Sequence, residues 1–203
     1  MLDDLINYAA GHKAWIVTAG ATIGWIATAI KWWTERKKLN LEVRKLVGEQ
    51  LEQLHECDDS HRESDKRFCE SSRIFLLAYG KTPIDSVELE AARESLCGAL
   101  TDLIHRYVVY CDVYCHVYQD DPARLTSFLD SAIRDIRIWG RCQGSLNHPN
   151  VIASLPVRRE PFRISKHTLV QIRHAVDKLR RVPAQEKEAL NRELDILLQA
   201  GVQ

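Results

Sequence analysis

The sequence predicts an all-α protein. The expected order is a single N-terminal transmembrane helix, a stalk helix continuing from it, and a cytosolic bundle of about five helices. Three observations lead there. An uncharged, apolar run extends from Ala14 to Ile30. Apolar residues recur at helical spacing in most later segments. Helix-stopping residues, among them Pro83, Pro122, Pro149, Pro156, Pro161 and Pro183, fall between those segments. The expected divisions are 1–13 as an extracytoplasmic N-terminus, 14–33 as the span, 34–56 as the stalk and 57–203 as the cytosolic domain.

The span is justified by its length and by its ends. From Trp15 to Trp33, helical rise gives roughly 28 Å, close to the hydrocarbon thickness of a bilayer. Trp15 stands at one end and Trp32 and Trp33 at the other, as in an aromatic belt. A cleaved signal peptide fits less well. Asp3 and Asp4 precede the run, and the bulky Trp32–Trp33 pair sits where small residues would be needed for cleavage. Lys31, Arg36, Lys37, Lys38, Arg44 and Lys45 follow the span, whereas only Lys13 precedes it. The positive-inside rule then places the C-terminal bulk in the cytoplasm, as in a single-pass inner-membrane protein. Gly20, Gly24 and Thr28 are spaced by four and share one face. This small-xxx-small pattern lets helix backbones approach closely, so these are the candidate oligomerisation residues of a homo-oligomer.

Beyond the span, Leu39, Val43, Leu46, Val47, Leu51 and Leu54 recur at helical spacing without a proline. That predicts a stalk, either paired as a short coiled coil or packed on the domain. His55 to Arg73 is densely charged and reads as a solvated helix or a loop. Ile74 to Tyr79 is apolar and stops at Gly80. Asp85 with Glu88 three residues on reads as a capping box. It opens the strongest soluble helix, about Ser86 to Tyr118. Asp121 caps the next helix with Pro122 at its first position, and Gly140 is its expected end. Residues 141–165 are expected to be irregular, with 151–155 a short strand or a packed loop. Helix resumes from about Ser165 to Arg181, and a last helix begins at Pro183 and ends at Gly201.

The formal net charge is zero, so no argument from overall charge is available. The charge is nevertheless uneven along the chain. Glu49 to Glu94 is acid-rich. From Arg134 to Arg181 the bases are Arg134, Arg137, Arg141, Arg158, Arg159, Arg163, Lys166, Arg173, Lys178, Arg180 and Arg181, against Asp135, Glu160 and Asp177. Arg134, Arg137 and Arg141 are spaced by three and four, which puts the guanidiniums on one ridge. Arginine suits bidentate phosphate contacts. Arg134, Arg137, Arg141, Arg158 and Arg159 are therefore the candidate ligand-binding residues for RNA, another anionic ligand or lipid headgroups. The competing expectation is that the basic half pairs with the acidic half.

The six cysteines, Cys57, Cys69, Cys97, Cys111, Cys115 and Cys142, would lie in a reducing compartment and read as free thiols. None has the tight spacing of a structural zinc site, so no metal and no cofactor are expected. The stripe Tyr107, Tyr110, Tyr114 and Tyr118 reads as core or subunit interface. No P-loop, nucleophile elbow or Gly-rich dinucleotide loop occurs.

Arg141 and His148 are separated by Cys-Gln-Gly-Ser-Leu-Asn. This resembles the arginine–x(4–6)–histidine signature of the HEPN superfamily of helical nucleotide-binding proteins and ribonucleases. The resemblance implies that Arg141 and His148 are catalytic residues acting on the scissile phosphate and the ribose 2′-hydroxyl, usually across a dimer. The layout of one membrane helix, a basic juxtamembrane segment and a small helical domain also resembles prokaryotic membrane-anchored defence effectors. Among these is the HEPN-like membrane accessory protein of one branch of the CRISPR systems. That resemblance implies a ring-shaped oligomer that perturbs the inner membrane when infection is sensed, as a pore would. Three functions follow as expectations: a non-enzymatic membrane sensor or effector that binds an anionic ligand or partner, a membrane-tethered HEPN-like RNA-binding protein or ribonuclease, and a membrane-anchored interaction scaffold.

Overall fold

The structure is a computed structural model. It describes residues 2–200, with side chains described for residue 25 and for 28–200. The described residues form six helices, α1 (Leu2–Tyr79), α2 (Ser86–Val117), α3 (Pro122–Leu146), α4 (Pro149–Ala153), α5 (Lys166–Asp177) and α6 (Ala184–Ala200), with no strand among them. The all-α class expected from periodicity is what the chain adopts. It divides into two compact units, residues 1–50 and 51–203.

The first unit consists of α1 alone. Among the described residues no helix is long and apolar enough to cross a membrane. The span expected at 14–33 falls largely on positions 14–24, 26 and 27, which lie outside the described side chains, as do Gly20 and Gly24. All described side chains through Glu49 are exposed. Trp25 is 80% exposed, and Trp32, Trp33, Leu39, Val43, Leu46 and Val47 are also open. Local contacts line this helix. Arg36 lies over the Trp32 ring at 5.0 Å and Lys37 over Trp33 at 5.4 Å. Lys31 with Glu35 and Lys45 with Glu49 form i,i+4 pairs.

In the second unit, α1 continues through the charged stretch to Tyr79 without a break. Its inward seam is Leu54, Cys57, His61, Ser64, Phe68, Ser71, Phe75 and Ala78, with steps of three and four. Large and small side chains alternate along it. Phe68, Phe75 and Ala78 join the main core, and Ser64 is buried with its hydroxyl donated to the His61 carbonyl at 2.8 Å. The charged residues occupy the rest of the circumference, which is how so polar a stretch remains a packed helix.

The capping signals place α2 and α3. The Asp85 carboxylate accepts from the Val87 and Glu88 amides at 3.0 and 3.2 Å. Only this half of the expected box forms, because the Glu88 carboxylate is taken by Lys81 at 2.6 Å. Asp121 accepts from the Arg124 amide, with Pro122 leading the helix as expected. Helix α3 does not stop at Gly140. Its buried positions continue as Ala132, Ile136, Trp139, Gln143 and Leu146, so the core-facing register carries the helix two turns further. The glycine serves packing instead. A Cβ at Gly140 would meet the Leu197 side chain of α6 at 3.0 Å, so its absence lets the two helices approach closely.

Helix α2 packs chiefly on α5, and α3 on α6. Their interior holds Leu89, Leu96, Leu100, Tyr107, Trp139, Ile172, Leu179, Leu190 and Leu194. Complete burial of each such side chain contributes roughly 1.5–3 kcal/mol. The stretch 151–155 is not a strand; it falls in α4 and the turn after it. The loop from 154 to 165 is held from two sides. The buried Arg93 guanidinium donates to the Leu146 carbonyl, at the open C-terminus of α3, and to the Glu160 carbonyl, both at 3.1 Å. Asn147 donates to the Phe162 carbonyl and accepts from the Phe162 amide, at 2.8 and 2.7 Å.

Candidate functional site between α3 and α6

Helix α3 has one strongly apolar face. Burying Leu125, Leu129, Ile136 and Trp139 leaves Arg134, Arg137 and Arg141 facing outward and exposed. Arg137 and Arg141, one turn apart, lie on a cleft of about 540 Å³ between α3 and α6. Gly140, Gly144, Gln143 and Asn147 belong to the same wall, and Glu193, Ile196 and Leu197 come from α6. Volumes of this order suit a small-molecule ligand.

The two cleft arginines differ in their state. Both bonds that Arg137 donates go to Glu193 Oε1, at 2.9 and 2.6 Å. That carboxylate raises the Arg137 pKa and holds its charge compensated. Arg141 makes no ion pair with a described residue. Gln143 is buried, and its Oε1 has no hydrogen-bond partner. Leaving a buried polar atom unmet costs about 1–3 kcal/mol, so such an atom calls for a reason.

The other expected site residues are dispersed. Arg159 is committed to α2, where it meets Glu90 at 2.6 Å and Glu94 at 2.9 Å. Arg134 and Arg158 are exposed and form no ion pair with described residues. His148 is exposed and begins α4, with its Nδ1 accepting from the Asn150 amide at 3.3 Å. It is not among the residues lining the α3–α6 cleft. Thr28 lies in the exposed part of α1. Within the basic half, Arg137, Arg173, Lys178 and Arg181 pair with Glu193, Asp195, Asp112 and Asp120, and only Arg159 reaches the acid-rich stretch. Arg134, Arg141, Arg158, Arg163, Lys166 and Arg180 are left without carboxylate partners among the described residues.

Tyr107, Cys111 and Cys115 are buried in the core, Tyr110, Tyr114, Tyr118, Cys97 and Cys142 pack half-buried against it, and Cys69 is exposed. Tyr107 meets Trp139 edge-on at 5.0 Å, and Tyr114 stacks on Phe128 at 4.7 Å. Burial, followed by the charge of Asp112, pushes the Cys115 thiol up to about 12, and burial does the same to Cys142, up to about 11. Such thiols are poor nucleophiles at neutral pH. No group of His, Cys, Asp or Glu among the described residues has the arrangement to hold a metal ion.

Two features were missed in the sequence. The contribution of Glu193 and Leu197 to the cleft depends on a helix about fifty positions away, and no local pattern announces it. The seam of α1 was visible as Leu54–His61–Phe68–Phe75 at seven-residue steps. Its intervening Cys, Ser and Ala residues hid it from a search for apolar periodicity. No protein-family profile, curated protein or solved structure matches the chain.

Proposed function

We propose that the protein is an oligomeric, membrane-attached sensor or effector, and that its 51–203 domain takes an anionic, phosphate-bearing ligand in the α3–α6 cleft. The observation that carries this reading is Arg141, an uncompensated guanidinium on a cleft whose other arginine is already neutralised by Glu193. A phosphate at Arg141 supplies the missing counter-charge through a bidentate pair. Attachment at the inner membrane rests on the uncharged run 14–30, its tryptophans and the basic flank after it. Assembly rests on the Gly20–Gly24–Thr28 face and on the exposed apolar residues 39–51. Ligand capture would alter the packing of the assembled helices and thereby membrane integrity, as the resemblance to defence effectors implies. The test is titration of the full chain, in phosphatidylcholine nanodiscs, with a fluorescent RNA and with pyrophosphate. Arg141→Glu should weaken binding at least tenfold, whereas Arg159→Glu should act far less. Equal affinity of wild type and Arg141→Glu removes the cleft from the reading.

A second reading, a membrane-tethered HEPN-like ribonuclease using Arg141 and His148, draws support from one detail. The Asn150 amide occupies His148 Nδ1, so in the neutral ring the proton resides on the exposed Nε2 and is available for acid–base work. It requires metal-independent RNA cleavage that disappears in His148→Ala; RNA left intact by the assembled protein eliminates it.

A further inference from the structure

We propose that residues 39–51 of α1 pair with the same residues of a second copy, parallel and in register, with the acidic border of each helix set against the basic border of the other. The inference rests on the assembled reading above and gives that assembly its partner, its face and its direction. At about 100° per residue, Leu39, Val43, Leu46, Val47 and Leu51 fall on one face roughly 140° wide. All five are between 46% and 60% exposed, so no described residue covers them. An apolar stripe of this width is what a helix presents to a packed neighbour. Asn40 and Gln50 interrupt it with neutral groups and bring no charge into the seam. Upstream, Arg36 falls on the same face but lies over the Trp32 ring at 5.0 Å, so the apolar seam begins at Leu39.

The two borders of this face carry opposite charge. Glu35, Glu42 and Glu49 recur every seven residues along one border. Lys37 and Arg44, also seven apart, run along the other. Glu35 and Glu49 have only exposed i,i+4 partners, Lys31 and Lys45, and Lys37 lies over the Trp33 ring. Such pairs are weak enough to be exchanged for contacts with a neighbour. Glu42 and Arg44 form no ion pair with a described residue. Two parallel helices related by a two-fold axis along their length bring unlike borders together at both edges of the seam. An antiparallel pair brings acid to acid at one edge and base to base at the other, and like charges in contact oppose it. A foreign partner would need an apolar ridge with the same two borders. A second copy of residues 35–51 supplies that ridge without further assumption.

The experiment measures self-association of the full chain in mild detergent, by energy transfer between labelled copies. Leu46→Glu should weaken association by about tenfold or more, because it places a charge inside the seam. Glu42→Gln and Arg44→Gln should each weaken it by about twofold to fivefold, and high salt should erase that difference. Tighter association of Glu42→Gln than of wild type means that like borders meet, and it overturns the parallel pairing. Direction is read separately by oxidative cross-linking against the background of the native cysteines. Leu39→Cys should link copies about fivefold faster or more than Leu41→Cys, which lies on the opposite side of the helix. Equal rates at the two positions overturn the seam. An oligomer that survives Leu46→Glu and dissociates in Gly24→Leu keeps the assembled reading and overturns this face. A monomeric wild type overturns both.

Discussion

Residues 39–51 and 54–78 belong to the same helix, yet they reverse the usual relation between hydrophobicity and burial. The first stretch is rich in leucine and valine, and Leu39, Val43, Leu46 and Leu51 remain about half exposed or more. The second is dense in charge, and it supplies Phe68, Phe75 and Ala78 to the core. Burial here follows the fit of a seam rather than mean hydropathy. In 54–78 a large side chain every seventh position alternates with a small one, which matches the close packing of helix on helix. In 39–51 the apolar residues meet no counterpart among the described residues, and exposed apolar surface of this kind is what the proposed assembly would bury.

The largest expected effect sharpens that contrast. Phe75→Ala should destabilise the folded domain by about 3–5 kcal/mol, since it opens a cavity in a close-packed core. Leu46→Ala, an equally apolar site on the same helix, should change it by less than about 0.5 kcal/mol. Urea unfolding of the full chain followed by tryptophan fluorescence measures both. A large loss from Leu46→Ala at a protein concentration where wild type is monomeric would break the comparison.

The second prediction concerns charge facing the seam. Burial, and then Asp65 of α1, raise the Asp135 carboxyl to about 6, with Arg134 acting the other way. Its folded pKa therefore lies above the unfolded value near 4. The native state holds the extra proton between these values, so stability falls as pH rises through about 6. Asp135→Asn should stabilise the domain at pH 7.5 by about 1–2 kcal/mol, allowing for solvent screening of a part-exposed group, and the gain should vanish near pH 4. Thermal melts of both proteins across pH 4–8 would show the curves converging in acid.

The smallest effect separates two helical glycines. A Cβ at Gly48 meets nothing within 4 Å, whereas one at Gly140 meets Leu197. Gly48→Ala should raise helical stability by about 0.5–1 kcal/mol, and Gly140→Ala should lose most of that gain to displacement of Leu197. Circular dichroism melts of the two variants provide the comparison; equal gains would show that Leu197 yields freely.

The parts of the fold legible in the sequence were those encoded locally. Asp85, Asp121 with Pro122, and Pro183 placed the starts of α2, α3 and α6 within a residue or two, because a cap needs only its own turn. Gly140 misled because a glycine that ends a helix and a glycine that admits a neighbour look alike until Leu197 is brought beside it. The α1 seam was hidden because its small positions are Cys, Ser and Ala, which are neither apolar enough nor periodic enough to stand out. Of the site, the arginine ridge on α3 was readable from spacing. Which arginine would be neutralised was not, since that depends on where α6 sets Glu193.

The joint at Arg93 has a consequence for the order in which the molecule yields to acid. The ion pairs among the described residues of this domain all end on carboxylates, so protons compete directly with their cations. Arg93 instead grips two backbone carbonyls, and these have no proton to gain across the ordinary range. As pH falls, the surface pairs should let go first, while the 154–165 segment stays fastened to the end of α3. Hydrogen exchange along an acid series should show the Phe162 amide, which donates to Asn147 Oδ1 beside this joint, keeping its protection after the surface pairs are lost.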